Sequence, residues 1–205
     1  PGNGAAARAT LWTLKLRSGD LPLSPDALAG IDTLVLAIGH TPFPALERQL
    51  ASWSAVTEPG RLWLALPLIT RAAELSALKV TLRSLVQKGW LSWECADLAG
   101  CRLLGEQGLK PVSADWSLYA LNRVAAAELA RLGVTSHVLS PESGLENIRA
   151  LTCRPPPSDL CPLPTPELLA FQHTPLFISE TAPCLPHGED AITLTDRRGR
   201  TFVTR

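Results

Sequence analysis

The residues able to do chemistry gather in one stretch, Lys110 to Leu151, which reads KPVSADWSLYALNRVAAAELARLGVTSHVLSPESGLENIRAL. Two carboxylates, Asp115 and Glu142, each follow a short apolar run. Such a pair can orient a bound substrate or exchange protons with it. Ser117, Asn122 and Ser140 lie beside them and can hydrogen-bond a ligand. His40 follows an earlier apolar run and is a further candidate for lining a pocket, as is His173, just before Pro175. A second reading stands beside this one. Ser117 fits the N-cap of a helix beginning at Leu118, and Glu142 fits similar work for the next helix. Asn122, read as one turn inside a helix, has poor propensity there. It either bonds the strand-end backbone or faces water.

The elements around these residues alternate. Lys110–Ser113 and His137–Leu139 are short apolar runs. Leu118, Leu121, Ala125, Leu129 and Leu132 form a helical stripe between them, closed by Gly133. Ser143 and Glu146 have capping-box spacing for a further helix to about Leu151. Strand, helix, strand, helix implies parallel strands with helical crossovers. The same unit recurs upstream. Leu11–Leu16, Thr33–Ile38, Arg61–Leu66 and Leu91–Cys95 read as strands, and helices follow from Pro44, Thr70 and Leu98. Thr70 is the expected N-cap of the second, whose stripe is Leu75, Leu78, Leu82 and Leu85. Downstream, Glu167–Phe171 and Leu176–Ser179 are strand candidates. Ala191–Leu194 and Thr201–Thr204 flank a Gly-containing turn as a hairpin. About eight strands with helices between most of them predict an α/β fold, a (β/α) TIM-like barrel, incomplete or with degenerate helices. An open doubly wound sheet is the alternative, although no strand is followed by a Gly-rich dinucleotide loop. The expected division is a flexible segment over 1–8, a barrel-like domain over 9–184 and a hairpin extension over 185–205.

Composition narrows the classes. Of 205 residues 46% are hydrophobic and 19% charged, which fits a folded chain rather than a disordered one. With 19 basic and 19 acidic side chains, the surface as a whole is not a polyanion binder. No apolar run reaches the length of a membrane span. There is no signal-peptide pattern, and the absence of Met suggests one domain of a longer chain. Five Cys, odd in number and spread out, do not make a disulfide scaffold. A reducing, cytoplasmic setting is the expectation. Cys153, Cys161 and Cys184 fall late and could converge on zinc or an iron–sulfur cluster, since soft thiolates suit both. Their spacing is irregular, and no C-x-x-C occurs. Cys95, in a strand, reads as a small buried hydrophobe. Neither a G-x-S-x-G elbow nor H-E-x-x-H is present, and His137 and His187 read as structural. Arg197, Arg198 and Arg200 either contact phosphates or an RNA backbone, or form an exposed hairpin tip.

Several of these residues together resemble the peptidase family U32, the collagenase-like proteins. Asp115, Leu118, Asn122, Leu132, Gly133, Ser140, Pro141 and Glu142 match its pattern of an Asp, an Asn, an L-x-x-L-G helix end and a strand ending in S-P-E. FQHTPLFISETAPC (Phe171 to Cys184) resembles the family's strand followed by P-L and a Cys, and TLTDRRGRTFVTR its closing D-R-x-G-x-x-F segment. The resemblance implies a barrel-like (β/α) domain. Some members carry a four-cysteine [4Fe–4S] cluster and hydroxylate ubiquinone precursors or ribosomal RNA without oxygen, and for many the peptidase name is historical. Carried over, it makes Cys184 a cluster ligand by position, with Cys153 and Cys161 as further candidates, and leaves the ligand set incomplete in this chain. The family's Glu-aromatic-H-G-A-x-C signature is absent, and His173 stands where many members have a basic residue. Three functions follow: a U32-like domain of an iron–sulfur hydroxylase acting on RNA or a small quinone precursor, a hydrolase of the peptidase type, or a non-catalytic scaffold that binds a partner.

Overall fold

The computed structural model describes residues 10–58, 60–152, 162–172 and 192–204. Its contacts divide the chain into two units, Pro1–Leu169 and Ala170–Arg205. The expected boundary after residue 184 lies outside the described residues.

In the first unit seven parallel strands stand in chain order: β1 (Thr13–Leu16), β2 (Thr33–Ala37), β3 (Leu62–Ala65), β4 (Trp93–Cys95), β5 (Ser113–Ala114), β6 (Ser136–Val138) and β7 (Thr165–Glu167). The order never reverses, so there is no switch point, and the doubly wound alternative falls. Instead the sheet curls into an incomplete barrel. One contact demonstrates the curl. Lys15 on β1 reaches Glu94 on β4 and Asp115 on β5. Four strand spacings of about 4.8 Å would put β1 and β5 roughly 19 Å apart in a flat sheet, beyond the reach of any lysine.

Register sorts the side chains. Leu14, Leu16, Leu34, Leu36, Leu62, Leu64, Trp93, Cys95 and Ala114 point to the convex face, where helices cover them. These are α1 (Phe43–Ser54), α2 (Ala72–Gln87), α3 (Leu98–Glu106), α4 (Arg123–Arg131) and α5 (Leu145–Thr152). Trp53 and Trp93 are fully buried in this layer, each donating its indole N–H to a carbonyl, of Asp20 and Trp90. The alternate residues, including Lys15, Val35, Ala65, Glu94, Ser113, Ser136 and Glu167, face the concave side.

Three local expectations need correction. The helix after β5 does not start at Leu118. Trp116–Leu118 is a single 3-10 turn, and Tyr119 then takes a left-handed conformation, φ 48°, that stops it. Asn122 is therefore not inside a helix. It is the N-cap of α4, extended in backbone, with its side-chain oxygen accepting the Ala125 N–H at 2.9 Å. At α2 the cap is Arg71 rather than Thr70, because Glu74 accepts the Arg71 N–H at 2.9 Å. Leu75 of the predicted stripe is exposed, leaving Leu78, Leu82 and Leu85 to pack. Finally, β7 comes earlier than Glu167–Phe171. Pro166 is accommodated there because, among the described residues, β7 is an edge strand whose ladder partner is β6. Leu176–Ser179 lies outside the described residues.

The second unit holds an antiparallel hairpin, β8 (Ile192–Thr195) with β9 (Thr201–Thr204). Asp196 organises its turn by accepting the N–H groups of Arg198 and Arg200.

Candidate functional site

The concave face carries an ion-pair cluster built from three strands. Lys15 Nζ lies 2.6 Å from Glu94 Oε1 and 2.7 Å from Asp115 Oδ2. Asp115 continues β5 by one residue, its N–H donating to the Cys95 carbonyl. Its second carboxylate oxygen accepts the Trp116 N–H at 2.8 Å, so the side chain is fixed from two sides. The cluster stands at or just beyond the C-terminal ends of β4 and β5, where barrel-type folds place their binding groups.

Both carboxylates are buried, Glu94 at 3% exposure and Asp115 at 7%, whereas the Lys15 side chain keeps 41%. Burial, helped by Asp115 and more weakly by Glu167, pushes the Glu94 carboxyl up to about 7 against the opposing pull of Lys15. Burial alone would lower Lys15. Its two carboxylates outweigh that and hold the ammonium above its ordinary value. The result is a lysine held in its charged form beside one carboxyl, Glu94, that gains or loses its proton near neutrality. A group so poised can act as general acid or base.

A row of hydroxyls adjoins the cluster. Register aligns Glu94 with Ser113, Ser113 with Ser136 and Ser136 with Thr165 along one concave row. The Ser113 and Ser136 hydroxyls are buried and have no hydrogen-bond partner among the described residues. Buried hydroxyls left unpaired are uncommon, and they can bond a ligand at little cost.

Among the predicted residues, Asp115 thus enters a cluster whose other members, Lys15 and Glu94, sequence reasoning missed. Ser117 lies nearby but is engaged, its hydroxyl donating to the Ala96 carbonyl at 2.5 Å. Ser140 is buried, and its oxygen accepts the Glu142 N–H at 3.2 Å within the turn after β6. Glu142 itself is exposed and takes no part in the Lys15 ion pairs. His40 is half exposed and sits 3.5 Å from Glu74 at the start of α2. Asn122 is occupied as a cap. His137, expected to be structural, lies under the helices on the convex side, where burial holds its imidazole below the ordinary value and so neutral. His173 lies outside the described residues. Arg197, Arg198 and Arg200 are exposed at the hairpin.

The expectation of a [4Fe–4S] cluster is corrected. Among the described residues no three His, Cys, Asp or Glu side chains come together in a group able to hold a metal ion. The described cysteines, Cys95 and Cys101, are buried on the convex side and meet each other. Cys153, Cys161 and Cys184, the candidate ligands, lie outside the described residues.

Two surface depressions, of about 260 and 330 Å³, lie at the other end of the sheet. They are lined by residues such as Gly30, Arg61, Trp90 and Ser92, at the N-terminal ends of β2 to β4. That end of such a fold serves stability. The cluster is the better candidate on its chemistry. No helix among the described residues is long and apolar enough to cross a membrane. No protein-family model, no curated protein and no solved structure matches the chain.

Proposed function

We propose that this chain is a U32-like domain whose concave face binds a small polar molecule and exchanges a proton with it through Glu94. The observation that carries the proposal is the Lys15 bridge between two buried carboxylates, one of which titrates near neutral pH. In this reading Asp115 holds Lys15 in place, Lys15 orients an acceptor group of the ligand, and Glu94 gives or takes the proton. The hydroxyls of Ser113 and Ser136 bind polar groups beside it. The sequence resemblance around Asp115, Ser140 and Glu142 supports the family assignment. A small molecule fits this face better than an RNA backbone, because Lys15 is already engaged by two carboxylates that would repel phosphate.

The test is carboxyl-carbon NMR on labelled protein. Glu94 should titrate near 7 in the native chain and higher in Lys15→Ala, which removes the charge that lowers it. A screen of small polar acids, amines and polyols should then yield ligands that move the Glu94 carboxyl and the Ser113 signals. Ligands that shift only residues around Arg61 and Trp90 would place binding at the opposite end of the sheet and overturn the assignment.

A further inference from the structure

Behind Glu94, on the convex side of the same strand, Cys95 meets Cys101. Their sulfurs are 2.9 Å apart, and both side chains are buried, Cys95 completely and Cys101 at 8% exposure. The contact follows from local structure. Cys95 ends β4, Asp97 caps α3 by accepting the Gly100 N–H, and Cys101 closes the first turn of that helix. Gly100 lets the helix lie close on the strand. A Cβ there would stand 3.1 Å from a Leu66 methyl and 3.7 Å from the Cys95 Cβ. Two thiols that touch within one short segment, anchored at both ends, need only a small movement to reach bonding distance, about 2.05 Å.

We propose that Cys95 and Cys101 form a redox-active dithiol that a hydroperoxide closes into an intrachain disulfide. Cys101 is the attacking sulfur. It is the less buried of the two, and although its thiol donates to Cys95 in the resting pair, the contact between them holds the Cys101 thiol below its ordinary value and, with burial, pushes the Cys95 thiol up. The Cys101 sulfur attacks one peroxide oxygen, so that an S–O bond forms, the O–O bond breaks and hydroxide leaves to become water. The Cys95 sulfur then attacks the sulfenic sulfur; the S–S bond forms, the S–O bond breaks and a second water leaves. In all, two thiols lose two electrons and two protons, and one hydrogen peroxide becomes two waters. The proposal does not depend on the function assigned to the concave face.

Trypsin should release both cysteines in one peptide, Gly89 to Arg102, since cleavage follows Lys88 and Arg102. The full chain is treated with hydrogen peroxide under native conditions, unfolded in the presence of an alkylating agent, and digested. The expected peptide carries no alkyl group and is lighter by two hydrogens, and dithiothreitol before alkylation restores two alkyl groups. In Cys95→Ser the resolving thiol is missing, and Cys101 should progress to the sulfinic acid. A native peptide that keeps both alkyl groups overturns the proposal. So does one linked to Cys153, Cys161 or Cys184.

Discussion

The two faces of the curled sheet follow opposite rules. On the convex face nearly every strand residue is Leu, Trp, Cys or Ala, joined with helix residues in one buried cluster. On the concave face the same strands present Lys15, Glu94, Ser113, Ser136 and Glu167, with Asp115 at the end of β5. At β4 both faces are sheltered: Trp93 is 0% exposed and its neighbour Glu94 3%. One buries oil at a gain of about 25 cal/mol for each Å² removed from water. The other buries charge, which costs free energy unless partners compensate. A chain that keeps charge in so sheltered a place holds stability below what apolar packing could give, and such sites tend to be functional ones.

The contrast can be broken most severely from the convex side. Trp93→Ala should cost about 3–5 kcal/mol, the usual range for a large aromatic removed from a core, read as a lower urea midpoint. A loss below about 1 kcal/mol would mean that the helices do not pack on β4 as described. Changing the concave neighbour should act through pH instead. Since the folded value of Glu94 lies near 7, above its ordinary 4.5, the folded state holds this proton more tightly than the unfolded chain does. Stability from this group is complete below about pH 4.5 and is lost as pH rises through about 7. Glu94→Gln cannot ionise, so its stability should fall less across that window, by on the order of 3 kcal/mol. Equal slopes for the two proteins would remove the buried acid from the account. The smallest effect tests the loop that carries Asp115 from the sheet to α4. Asn122→Ala removes the cap of that helix and should cost about 1 kcal/mol, measurable by thermal unfolding, with no change in the Glu94 titration.

Much of the convex face was legible from sequence. Runs such as Thr33–Ile38 and stripes such as Leu78, Leu82 and Leu85 announce a covered sheet and the helices on it, because apolar periodicity reports burial directly. Asp115 was legible too, as a carboxylate beyond an apolar run. Lys15 and Glu94 were not. Glu94 is one charge inside a short segment read for its apolar neighbours; the alternation of Leu11–Leu16 marked one face as less buried without singling out Lys15, and the two residues, far apart in the chain, are joined only when the sheet curls. The usable signal was the alternation itself. A charged residue between Trp93 and Cys95, or between Leu14 and Leu16, points to the side of a strand opposite its apolar neighbours. The α4 boundary was missed for another reason. The left-handed turn is made by Tyr119, a residue type that gives no warning of it.

Because the curl stops short of closure among the described residues, β1 and β7 have outer rims with no ladder partner there. Exposed rims of this kind invite a stray strand from another molecule to dock and propagate. Here the invitation is weak. The rims span four and three residues, and Pro166 sits in the middle of the shorter one, where it withholds a donor from any guest. The open geometry that lets Lys15 reach across the hollow therefore brings little risk of runaway association.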